Sequence, residues 1–72
     1  MIDFSPLWET LEKKNISTYK LITKYNVSKG TIDNLKQNRS VTLHTIENLC
    51  EILEVPIENI VKIKLDKYEN KQ

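Results

Sequence analysis

Glycine is nearly absent from this 72-residue chain, which has one, and proline occurs only twice. That scarcity excludes a collagen-like repeat and a Gly/Pro-rich linker, and with 39% hydrophobic and 29% charged residues it points to a folded globular domain. The single cysteine, Cys50, cannot close an internal disulfide. One histidine, His44, and no cysteine pair leave no ligand set for a structural zinc, so no metal is expected and the fold must rest on packing. No apolar run approaches the roughly 18 residues that span a bilayer. The opening Met1-Ile2-Asp3-Phe4-Ser5-Pro6 lacks the basic-then-apolar layout of a signal peptide. The expectation is a cytoplasmic protein with no membrane partner. A Ser/His/Asp set, a carboxylate pair in a cleft and a glycine-rich phosphate loop are missing too, so no enzyme, cofactor or small-molecule substrate is expected.

Net charge is small, +1, but unevenly spread. Residues 17–39 hold four Lys and Arg39 against Asp33 alone, whereas residues 40–60 hold four Glu and no Lys or Arg. A near-neutral chain that gathers its cations in one central stretch has the footprint of a polyanion binder with an acidic far side, although chance sampling over a short segment explains the imbalance as well.

One domain is expected over residues 1–65, because so short a chain supports one core, with 66–72 as a frayed tail. Ser5 as cap and Pro6 at the first helical position start a helix whose apolar stripe is Leu7, Trp8 and Leu11. Lys13-Lys14-Asn15 ends it. Ser17 caps a short second helix from Thr18 to Tyr25, with Leu21, Ile22 and Tyr25 inward. Asn26 stops it, and Ser28 caps a third helix from Lys29 to Gln37. Two short helices joined by so brief a turn form a helix-turn-helix unit. Thr42 caps a fourth helix to Leu53, striped by Leu43, Ile46, Leu49, Cys50 and Leu53, and Pro56 opens a fifth through Ile57, Ile60 and Val61. The tail from Val61 to Asp66 alternates apolar and charged residues, the period of a half-buried strand. The fold class expected is all-α: five short helices around one core, with a possible short C-terminal strand.

The run from Thr18 to Gln37 resembles the DNA-binding unit of the Cro and lambda-repressor (XRE-type) regulators, and the resemblance extends over most of the chain. Leu21, Tyr25, Val27, Ile32 and Leu35 fall where that pattern has apolar positions. Two positions depart: Ile22 stands where the family usually has a small residue, and Asn26 where it usually has Gly. The resemblance implies that the second helix positions the third and that the third lies in the major groove of double-stranded DNA.

A helical projection gives the same outward face without the family. With Ile32 and Leu35 inward, Gly30 and Gln37 point away from the core, Asp33 and Asn34 stand on the shoulders and Lys29 at the flank. The candidate base contacts are Lys29, Gly30, Asn34, whose amide suits adenine, and Gln37. The candidate phosphate contacts, at helix starts and in the loop, are Ser17, Thr18, Ser28, Thr31, Arg39, Ser40 and Thr42. Several of these residues are helix caps in any case. Asp33 fits only if it accepts from cytosine or pairs with a neighbouring Lys. Trp8, Tyr19 and Tyr25 read as core or core-edge aromatics, Cys50 as a small buried hydrophobe, and His44 as an exposed residue with no partner at ligand spacing.

The function expected is a bacterial or phage-type transcriptional regulator acting as a homodimer on an inverted repeat, with Val61, Ile63 and Leu65 either pairing two copies or packing back on the first helix. The alternative is a small interaction module, such as an antitoxin or a regulator-binding protein, with Glu47, Glu51, Glu54 and Glu58 as its surface.

Overall fold

The computed structural model describes residues 1–65. Strand β1 (Ile2–Asp3) leads into α1 (Ser5–Lys14), followed by α2 (Thr18–Thr23), α3 (Lys29–Lys36), α4 (Leu43–Leu53), a single 3₁₀ turn (Ile57–Asn59) and β2 (Lys62–Ile63). The all-α expectation holds for the body of the domain. The fifth helix is instead the 3₁₀ turn, where Ile57 is exposed and only Ile60, just beyond it, is buried. The second helix stops at Thr23, two residues early.

Hydroxyl side chains start three of the helices. Ser17, Ser28 and Thr42, all in extended backbone, accept from the backbone N–H of Lys20, Thr31 and Thr45. Each satisfies a donor that has no partner within the helix. The first helix departs from expectation. Ser5 lies inside it, Phe4 holds the cap position, and the Ser5 N–H is taken by Asp3 Oδ1 at 2.9 Å.

With so little glycine, the left-handed turns fall to other residues. Asn15, Asn26, Asn38 and Glu54 have φ of 58°, 61°, 57° and 57°. Asn tolerates this region through its short polar side chain, so the Asn26 stop is as expected. Glu54 has no such compensation. It ends α4 where the following Val55 N–H returns to the Cys50 carbonyl at 3.1 Å.

Phe4, Leu7, Leu11, Leu21, Val27, Ile32, Leu35, Ile46, Leu49, Leu53 and Ile60 form one buried cluster to which every helix contributes. Leu43, the first residue of the α4 stripe, is not in it and stands 79% exposed. Thr10, the buried polar residue of α1, donates to the Asn59 carbonyl at 2.7 Å and so fastens the 3₁₀ turn to the first helix.

The tail strand exists, its partner within the chain is the N-terminal segment, and Val61 just before it packs against the core. β2 pairs antiparallel with β1, Ile2 opposite Ile63 and Asp3 opposite Lys62. The N-terminal ammonium donates to the Lys64 carbonyl at 2.8 Å, and Lys64 Nζ lies 3.4 Å from Asp3 Oδ2. Ile63 and Leu65 remain exposed on this ribbon. The expected frayed tail, 66–72, lies outside the described residues.

Two outcomes follow from these junctions. Glu54→Gly removes a left-handed non-glycine residue, so the melting temperature should rise by roughly 4–8 °C for a gain of about 1 kcal/mol, as measured by calorimetry. Asp3 is held below its ordinary pKa of 3.8, chiefly by the Ser5 backbone N–H; partial burial opposes this, and the Ser5 hydroxyl and Lys64 reinforce it. A lowered folded-state pKa contributes stability above the unfolded value and loses it as pH falls through the folded one. The urea midpoints of the wild type and Asp3→Asn should therefore converge as pH drops below 3.8, and a gap that stays constant in acid would exclude this contribution.

Candidate nucleic-acid interface

The third helix is held by its own ends and by two apolar side chains. Ser28 Oγ accepts from the Thr31 N–H at 3.1 Å and donates to Thr31 Oγ1 at 2.8 Å, which fixes the first turn. Ile32 and Leu35 are buried at 4% and 0% exposure. Their burial decides what faces water: Lys29, Gly30, Asp33, Lys36 and Gln37 are exposed, while Thr31 and Asn34 are half-buried. Asn34 is thus less free than the projection suggested. A Cβ added at Gly30 would meet nothing within 4 Å, so the missing side chain leaves open space rather than serving internal packing.

The C-terminus of α3 closes in a Schellman turn. With Asn38 left-handed, its N–H bonds the Leu35 carbonyl at 3.2 Å and the Arg39 N–H bonds the Asn34 carbonyl at 2.8 Å. Asn38 Oδ1 also accepts from the Phe4 N–H at 2.9 Å, tying the end of α3 to the start of α1. The turn folds Arg39 back over the helix, where Nη1 lies 3.4 Å from both Asp33 Oδ2 and Asn34 Oδ1. The carboxylate expected to need a lysine or a cytosine is therefore paired with Arg39.

Four of the remaining candidates border three grooves, and Ser40 and Thr42 lie outside them. Thr18, at the start of α2, shares a groove with Lys29, Asp33 and Lys36. Ser28 and Thr31 border a second groove with His44 and Asn48 of α4. Ser17 opens onto a third, with Asn15 and Lys20, on the side of α1. Ser40 is exposed in the loop, and Thr42 caps α4 with its Oγ1 also 3.1 Å from Thr45 Oγ1. Lys24 sits 5.5 Å from the centre of the Tyr25 ring.

An amphipathic third helix, capped by Ser28, is preceded by a short helix and an Asn turn. A family model described as the Cro/C1-type HTH DNA-binding domain matches residues 6–66. The chain belongs to the Cro/C1-type helix-turn-helix family. It therefore carries a DNA-binding domain, in which α2 and α3 are the helix-turn-helix pair. A solved crystal structure, of the transcriptional regulator VanUg, matches with a TM-score of 0.79 and 26% sequence identity over 85% of this chain and 81% of that one. No curated protein matches. Among the described residues, no helix is long and apolar enough to cross a membrane.

Three side chains differ from what their sequence pattern suggested, Tyr19 and Cys50 in burial and the exposed His44 only in its partner. Tyr19 is not a core-edge aromatic: it is 73% exposed, because only Leu21 of α2 is fully buried. His44 has an acidic neighbour after all, Glu47 at 3.5 Å one turn on. Cys50 is half-buried; burial pushes its thiol pKa up, and Glu51 and Glu58 push it further. The Arg39–Asp33–Asn34 cluster was missed altogether. Its only signal was Asn38, which as a left-handed stop returns the next residue onto the helix.

Gly30→Ala has no steric obstacle and improves helix propensity. The free protein should gain up to about 1 kcal/mol in urea unfolding, and a loss of stability would mean that the space at Gly30 is needed by the fold.

Proposed function

We propose that the domain regulates transcription by reading a short double-stranded DNA site, with α3 in the major groove and two copies bound to an inverted repeat. The observation that carries this reading is the burial of Ile32 and Leu35, which turns a small, polar, cation-flanked face of a capped helix to solvent. Lys29, Gly30, Asn34 and Gln37 make the base contacts. Gly30 lets the helix approach closely, Lys29 reaches a guanine or a phosphate at the helix start, and the amides of Asn34 and Gln37 meet base edges. Ser17, Thr18, Ser28, Thr31, Ser40 and Thr42 meet phosphate at the helix starts and in the loop, with Arg39 beside them, and these contacts set register.

The charge pattern supports the same orientation. The concentration of Lys and Arg in 17–39 faces the polyanion, and the Glu residues of 40–60 lie in the following elements. One α3 reads only a few base pairs, so a pair of half-sites about 10 base pairs apart supplies the discrimination a single helix lacks.

Selection from a random duplex pool should enrich a palindrome with that spacing. Affinity for the enriched site should fall steeply with salt, and Lys29→Ala should reduce the slope of log K against log [salt] by about one if it neutralises a phosphate. Failure to bind any duplex at low salt would overturn the reading.

A further inference from the structure

We infer that Arg39, in the loop beyond α3, is a base-reading residue: Asp33 and Asn34 hold its guanidinium over the outward midline of the helix so that it meets a guanine edge. The inference rests on α3 lying in the major groove and deepens that reading by adding a specificity-determining residue.

Geometry places the guanidinium. On a helix turning about 100° per residue, Asp33 and Asn34 stand roughly 50° to either side of the direction opposite the core. A single nitrogen, Nη1, is 3.4 Å from an oxygen of each, so the group that bridges them lies across the ridge between, the ridge that Gly30 and Gln37 also occupy. The Schellman turn at Asn38 holds the Arg39 backbone against Asn34 through the 2.8 Å bond, so the side chain starts from a fixed point. One turn toward the helix start, the Gly30 position is open, which leaves room beside the guanidinium for an approaching base edge.

Chemistry says what it would take. Among the described residues both acceptors meet Nη1, and the opposite edge of the guanidinium presents Nε–H and one Nη2–H in parallel. That two-donor fork matches the N7 and O6 acceptors of guanine. Asn34 Oδ1 accepts from Arg39 with one of its two lone pairs, so Asn34 can hold the guanidinium while its second lone pair and its NH2 group still meet a base edge. Asn34 is therefore a positioning residue for Arg39, and so is Asp33, whose carboxylate is compatible with a phosphate-lined groove once it is paired. An exposed ion pair of this kind adds little to stability, so its consequence is orientation.

The test is selection from a random duplex pool with the full-length wild type, Arg39→Lys, Arg39→Ala and Asp33→Ala, with helix content checked by circular dichroism. The wild type should prefer guanine at one position of each half-site by roughly 10- to 100-fold. Arg39→Lys keeps the charge but loses the fork, and Asp33→Ala frees the guanidinium; each should drop the preference at that position to a few-fold while the other positions keep theirs. If Arg39 only meets phosphate, Arg39→Lys will leave every base preference intact and Arg39→Ala will weaken all sequences alike, with the salt slope smaller by about one; that result overturns the inference. A wild-type pool that enriches no motif strikes the DNA reading and this inference with it, whereas an enriched motif unchanged in Arg39→Lys overturns this inference alone.

Discussion

The inward burial of Ile32 and Leu35 is the constraint on which the rest of the molecule depends. Both belong to the cluster shared by all four helices, so the rotation of α3 about its axis is set by packing. Replacing either by alanine would cost about 2–5 kcal/mol, a large fraction of the stability of a domain this small. The exposed face is the complement of that burial. Gly30, Asp33 and Gln37 face solvent because the opposite positions are occupied by the core, and the helix is held rigidly enough to present them in one arrangement.

Packing alone would leave the ends of so short a helix loose, and local polar chemistry secures them. Ser28 fixes the first turn, and Asn38 closes the last while its side chain reaches Phe4 at the start of α1. With one glycine in the chain, asparagine takes the left-handed turns at three of the four places among the described residues. The substitution has a consequence that glycine would not bring. Glycine at position 38 would allow the same turn but offer no acceptor to the Phe4 N–H. The β1–β2 ribbon and the Thr10–Asn59 bond do similar work at the other side, binding both ends of the described chain to α1.

The electrostatics follow the same division. Asp33 is the one acidic residue in the basic stretch, and its pairing with Arg39 removes the conflict that an isolated carboxylate would create on a polyanion-facing surface. Lys29 and Lys36 flank the same groove as Thr18, so two of the five cations of the basic stretch line the seam between α2 and α3. The Glu residues of α4 and the 3₁₀ turn belong to other elements, and a nearly neutral protein thereby carries charge asymmetry.

Much of this was legible in the residues themselves. The caps at Ser17, Ser28 and Thr42, the stop at Asn26 and the inward positions Leu21, Ile32 and Leu35 depend on interactions spanning a turn or two, which spacing encodes directly. Periodicity misjudged Leu43 and Tyr19, since an apolar or aromatic residue on a helix is buried only if another element lies opposite it. The last helix shrank to a 3₁₀ turn and Asp3 displaced Ser5 at the start of α1 where several local solutions were open: the turn is fastened by Thr10 to Asn59, and Asp3 is also paired in the strand opposite Lys62. The sequence by itself determined the helix-turn-helix pair and the face of α3 that meets solvent. Only the tertiary structure decided that the tail pairs with Ile2–Asp3, that Asn38 grips Phe4, and that Arg39 lies across Asp33 and Asn34, because each joins groups whose approach depends on how the whole chain has closed.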